Sequence, residues 1–205
     1  MLATAICLAG CASHSKHILL YASSDIQVDN SQQQITVTDG TTQVEKELVF
    51  SGSDPVTLNI TGPSGKYSLS VSGDGYFVAN LKTDTVVGSY QHVGMGEGEG
   101  KITQDQLVRR IDSLKQLIAG LNISPAARNY FLPPGKFVKV SDRPDVKVFG
   151  PFTSIPAAFD AGSVPELYKF YTNKEVREII AKLEPMTQYK PGEDAGTPAA
   201  PGAKK

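Results

Sequence analysis

The 205-residue sequence contains no Trp and only two Cys, at positions 7 and 11. With both confined to the first eleven residues, the rest of the chain has no thiol for a disulfide, a thiolate metal site or a cysteine nucleophile. A strong charge imbalance is also missing. Twenty Lys and Arg stand against 21 Asp and Glu, which excludes a general nucleic-acid binder. The apolar run at residues 2–10 is far shorter than the roughly 20 residues a bilayer-spanning helix needs. Histidine is scarce: His14 and His17 lie three apart, and His92 is the sole candidate general base in the body. No His-x₃-His spacing exists, so no metal site is expected. Gly62-Pro63-Ser64-Gly65-Lys66 has Ile60 where a Walker loop requires Gly, and a Gly-x-Ser-x-Gly motif is absent. Glu97 and Glu99 supply too few oxygens for a calcium site. These absences predict a non-catalytic chain without a cofactor.

What is present begins at the first residues. Leu2 to Gly10 form an uncharged apolar stretch ending in small residues, the pattern of a secretory signal, although no Lys or Arg precedes it. The tetrad Leu8-Ala9-Gly10-Cys11 resembles the lipobox of bacterial lipoproteins. That resemblance implies a lipid on the Cys11 thiol, cleavage before Cys11, and a membrane anchor at the new N-terminus. Ala12 stands where an Asp would imply inner-membrane retention, so the resemblance implies the outer membrane. No acidic cluster follows Cys11, which favours the periplasmic face over the cell surface. Six residues, Ala12 to His17, separate Cys11 from the next apolar segment, Ile18-Leu19-Leu20-Tyr21. Fully extended they reach about 20 Å, which keeps the body close to the membrane.

The mature chain divides by composition. Residues 1–10 read as signal, 11–20 as lipidated Cys and tether, and 21–93 as a β-rich module. In 21–93 there are 18 Ser or Thr and no Arg. Period-two segments at 35–38, 56–61 and 67–72 predict half-buried strands, with further strands at 17–23, 44–50, 76–81 and 85–91. Asp39-Gly40, Gly62-Pro63-Ser64-Gly65 and Gly73-Asp74-Gly75 read as turns of antiparallel hairpins, and an immunoglobulin-like β-sandwich is the leading expectation. Residues 94–101 read as a Gly-rich linker. Residues 102–186 form an α/β region with short strands at 136–141 and 145–149. Its first helix is capped by Thr103 with Gln106, stopped near Gly120, and striped by Leu107, Ile111, Leu114, Ile118 and Leu121. Its second is capped by Thr172 with Glu175, striped by Val176, Ile179, Ile180 and Leu183, and ended by Pro185. Residues 187–205 read as a disordered tail. The expected class is therefore α+β and β-rich, an antiparallel sandwich-like module followed by two helices and short strands.

Charge follows this division, with a net of −4 over residues 1–93 and +2 over 94–186. Nine aromatic residues concentrate in 130–171. Most of them suit a core around the helices. Tyr130, Phe131, Phe149 and Phe152 sit beside Pro- and Gly-rich loops and are the candidate partner-binding surface. The sequence thus reads as a lipid-anchored envelope protein that binds or scaffolds another envelope protein. A glycan-binding module is the alternative, and an envelope hydrolase a more distant one.

Overall fold

The run Ile18-Leu19-Leu20-Tyr21-Ala22 has no polar face, and each of these residues is at most 6% exposed. A strand of this kind needs cover on both sides. The computed structural model, which describes residues 14–91, 103–124, 126–156 and 166–188, supplies it. Strand β1 (Ser15–Ala22) lies inside a four-stranded sheet with β4 (Val44–Ser51), β7 (Gly75–Asn80) and β10 (Phe137–Ser141), in the order β10-β7-β1-β4. An outer sheet is built from β2 (Ile26–Asp29), β3 (Gln34–Val37), β5 (Val56–Gly62) and β6 (Gly65–Val71), in the order β2-β3-β5-β6. A third sheet contains β8 (Val86–Gln91), β9 (Asn129–Leu132), β11 (Lys147–Phe149) and β12 (Leu167–Thr172), in the order β11-β12-β8-β9. Helices α1 (Gln104–Ile118) and α2 (Asn173–Leu183) complete the elements, with a 3-10 turn over Glu184–Gln188.

Three apolar clusters join these into four layers. Ile18, Leu20, Phe77 and Ala79 face Ile35, Leu58, Ile60 and Leu69 of the outer sheet. On the opposite face, Leu19, Tyr21, Tyr76 and Val78 meet Tyr130, Leu132, Tyr168 and Phe170 of the third sheet. Behind the third sheet, Val87 packs with Leu107, Ile111, Leu117, Val176 and Ile180 of the helices. The order is outer sheet, central sheet, third sheet, helices. The protein is thus β-rich and α+β. No helix among the described residues is long and apolar enough to cross a membrane.

Both helices start at the capping boxes read from the sequence, Thr103 with Gln106 and Thr172 with Glu175. Gly120, at φ +70°, turns the chain out of α1. Leu121 therefore leaves the apolar stripe and is 59% exposed, against expectation. Pro185 ends α2 as an α-helix, but the chain continues into the 3-10 turn.

The sheets are mixed rather than antiparallel throughout, because β1–β7, β3–β5 and β11–β12 pair in parallel. Of the three turns read as hairpins, only Gly62-Pro63-Ser64-Gly65 closes one, with Gly62 opposite Gly65. Asp39-Gly40 instead carries the chain from β3 in the outer sheet to β4 in the central sheet. Gly73-Asp74-Gly75 likewise leads from β6 to β7. Turn residues reverse the chain without specifying which sheet receives the next strand. Burial decides that: Tyr76-Phe77-Val78-Ala79 is apolar on both faces and belongs in the middle layer. Strands also pair across the composition boundary near residue 93, where β7 bonds to β10 and β8 to both β9 and β12. The linker expected at 94–101 and nearly all of the tail expected at 187–205 lie outside the described residues.

One buried polar residue joins the layers. Asn80 has no exposed surface, and its Nδ2 donates to Asp84 O at 2.7 Å and Leu132 O at 2.9 Å. Its Oδ1 accepts from the Lys82 amide at 3.0 Å. Its backbone holds the turn between β9 and β10, bonding to Lys136 O and to the Gly135 amide. A buried amide so fully satisfied is costly to delete, because its partners are left unpaired. Asn80→Ala is expected to lower unfolding stability by about 1–3 kcal/mol, read as a reduced denaturant midpoint with an unchanged slope.

Candidate functional site

The central and third sheets are stacked, and their two lateral edges are treated differently. On the β4–β11 side the edge is clasped shut by the turn 150–153. The Glu45 carboxylate accepts from the Phe152 amide at 2.6 Å and from Thr153 Oγ1 at 2.7 Å. From the other side, Lys169 Nζ donates to Gly150 O and to Thr153 O. Only Gly fits at position 150, since a Cβ there would lie 2.3 Å from the Glu45 carboxyl and 2.6 Å from the Tyr21 ring. Lys82 Nζ sits 5.0 Å above the Phe152 ring. Burial lowers the pKa of both Lys82 and Lys169.

The β9–β10 side is open. Strands β9 and β10 are edge strands of neighbouring sheets, joined by the Pro133-Pro134-Gly135-Lys136 turn. Between them runs an apolar groove of about 470 Å³, lined by Ile123, Phe131, Pro133, Phe137 and Val138 among others. Phe137 at its mouth is 41% exposed. Lys136 and Lys139 are its charged lining residues, and among the described residues no carboxylate lines it.

Next to the groove, and sharing Tyr130 and Lys139 with it, is a polar cleft of about 270 Å³. Glu166 is its centre. One carboxylate oxygen accepts from Tyr168 Oη at 2.5 Å, and the other lies 3.5 Å from Ser141 Oγ. Arg128 approaches Glu166 to 3.8 Å and lies over the Tyr90 ring at 4.6 Å. Tyr130 Oη donates to Val140 O. Lys139 pairs with Asp142, whose side chain is almost fully exposed. Only one carboxylate is therefore enclosed here.

The four aromatic residues expected to form one surface are divided by this geometry. Tyr130 and Phe131 are successive on β9 and point to opposite faces of the third sheet. Tyr130 is buried against the central sheet, and Phe131 packs with the helix-side cluster. Phe149 ends β11 at the far edge of the same sheet, about 14 Å across at three strand spacings. Phe152 lies in the clasp, half-buried. Leu8, Ala9, Gly10, Cys11, His92, Glu97 and Glu99 lie outside the described residues. His14 and His17 each meet a carboxylate, Asp74 at 2.5 Å and Glu47 at 2.8 Å. Among the described residues no three His, Cys, Asp or Glu side chains converge on a metal position.

Sequence reasoning missed Arg128, Ser141, Glu166 and Tyr168, which come from separate segments and carry no shared spacing. Arg128 has one local mark, a left-handed backbone at φ +51°, which favours Gly or Asn. Comparison with protein-family models, curated proteins and solved structures gave no match.

Tyrosines run through the interface between these sheets and beyond. Burial raises the phenol pKa of Tyr21, Tyr76, Tyr130, Tyr168 and Tyr171, and that of Tyr67 to about 12. A folded pKa above the unfolded value of 10.0 gives stability that is complete below pH 10 and lost as pH rises through the folded values. Alkaline titration followed at the phenolate absorbance is expected to show most tyrosines ionising late and together with unfolding. Early ionisation of all of them with the fold intact would contradict this burial.

Proposed function

We propose that the protein is a lipid-anchored component of the bacterial outer membrane that binds another envelope protein without catalysing a reaction. The anchor rests on the lipobox-like Leu8-Ala9-Gly10-Cys11. It gains support from the start of β1 at Ser15, which leaves three residues after Cys11 and a reach of about 10 Å. One end of the body is then held against the membrane, the end where β1 and β7 begin.

The partner seat is the β9–β10 groove, and the observation that carries it is the contrast between the two edges. The clasped edge ties its two charged groups, Glu45 and Lys169, to its own turn, while the open edge exposes Phe137 over an apolar floor with a cationic rim. Phe137 pairs with Ala79, four residues along β7 from Gly75, so the mouth lies about 13 Å beyond the membrane-side end of the sheet. Lys136 and Lys139 at the rim suit an extended partner segment that carries apolar side chains and an acidic residue. The enclosure of a single carboxylate, Glu166, favours binding over hydrolysis, because glycoside hydrolysis uses two facing carboxyl groups.

Two experiments test this. Cys11→Ser is expected to abolish lipid labelling and release the protein from membranes. Retained labelling would sink the anchor. A photo-cross-linking residue placed at position 137 in the anchored protein is expected to capture a discrete partner in intact cells. The same residue at exposed Val49 on the clasped side is expected to capture nothing comparable. Equal capture at both positions, or none at 137, would overturn the groove as the seat.

A further inference from the structure

A third concavity, which shares only Asn129 with the partner groove, lies between α1 and the ends of β8 and β9. It measures about 720 Å³, within the usual range of small-ligand sites. Its lining includes Arg110, Arg128, Gln91, Asn129, Ser113 and Tyr171, and among the described residues no Asp or Glu lines it. Two guanidinium groups therefore share one hollow with amides, hydroxyls and a phenol.

Each arginine is placed for an outside ligand. Arg110 projects from an exposed position of α1 and makes no ion pair among the described residues. Arg128 is held by its stack on Tyr90, and its side chain is 48% exposed. Its contact with Glu166, at 3.8 Å, is too long for a hydrogen bond and leaves the guanidinium donors in hand. Its backbone adopts φ +51°, a conformation Gly would hold without strain. A long cationic side chain held at a strained backbone position is the kind of outlier that concentrates at binding sites.

We propose that this hollow binds an acidic saccharide, with a sugar carboxylate on Arg110 and Arg128 and ring hydroxyls on Asn129, Gln91 and Ser113. Planar guanidinium forks match a carboxylate in two-point contact. The volume and the polar lining exceed what a bare oxyanion would fill. A nucleic acid fits poorly: the chain carries a net charge of −1, and the Tyr90 face that could stack a base is covered by Arg128.

The test is calorimetric titration of the protein with oligogalacturonate, with neutral galactose oligomers, inorganic phosphate and single-stranded DNA as comparisons. Oligogalacturonate is expected to bind, more weakly as salt rises, and each comparison at least tenfold less tightly. Arg110→Ala, at an exposed site, is expected to weaken binding about tenfold. Arg128→Gly is expected to weaken it by at least as much, and because the Tyr90 stack and the Glu166 ion pair are lost as glycine relieves the backbone, affinity rather than Tm is the readout. A purely structural Arg128 would leave binding intact. Absence of oligogalacturonate binding would overturn the proposal, as would equal binding of any comparison or full affinity in either variant.

Discussion

Burial of β1 and β7 on both faces is the constraint from which the other layers follow. Ile18, Leu20, Phe77 and Ala79 need one apolar partner surface, and Leu19, Tyr21, Tyr76 and Val78 need another. At about 1.5–3 kcal/mol for each large apolar side chain taken out of water, neither face can be left bare. The outer sheet covers one face and needs only one apolar face of its own, so β5 alternates between buried and exposed residues. The third sheet covers the other face and in turn exposes Val87 and Tyr171 on its back, which the two helices close. Two polar residues trapped by this stacking find fixed partners: Lys16, fully buried, donates to Gly52 O, and Asn80 bonds across from β7 to β9, whereas the buried Tyr21 hydroxyl has no hydrogen-bond partner among the described residues.

The same stacking explains why the two lateral edges differ. At β4 the sequence places Glu45 beside a glycine-containing turn, and the carboxylate reaches the backbone of that turn. Lys169 meets the turn from the third sheet, and each charge is answered by hydrogen bonds. At β10 a residue of that kind is replaced by Phe137, Val138 and Lys139, and the register slips after Lys139. Lysine and an irregular edge protect an exposed strand from indiscriminate pairing. They also leave a shaped apolar hollow beside it.

Legibility in the sequence tracked how local each cause was. The capping boxes at Thr103 and Thr172 are three-residue chemistry and lie where the sequence put them. The alternation in β5 and β6 reports a single covered face and was equally clear. In β12, Leu167, Tyr168, Lys169 and Phe170 are all buried, so there is no alternation to read, and no strand was expected there. β2 and β9 are four residues long, too short for a period to show. Parallel pairings were invisible for another reason: β1 and β7 are separated by β4 and by four strands of the outer sheet, and no turn motif announces that the chain returns to lie beside β1. The site residues belong with these non-local features. Arg110 and Arg128 come from a helix and a turn, and Glu166 meets Ser141 across two strands. Spacing cannot show such meetings.

β9 gathers what the rest of the fold leaves unused. Its four residues serve different surfaces, with Tyr130 and Leu132 turned to the central sheet and Phe131 to the helices. Asn129 lines both the apolar groove and the arginine hollow. Being short and at an edge, this strand contributes few ladder bonds, so a strained entry at Arg128 costs the fold little there. The outer sheet presents serine and threonine to solvent, and the clasped edge has satisfied its own charges. Among the described residues, apolar surface and hydrogen-bond donors not used within the fold thus remain side by side at this edge, which is where both proposed binding sites lie.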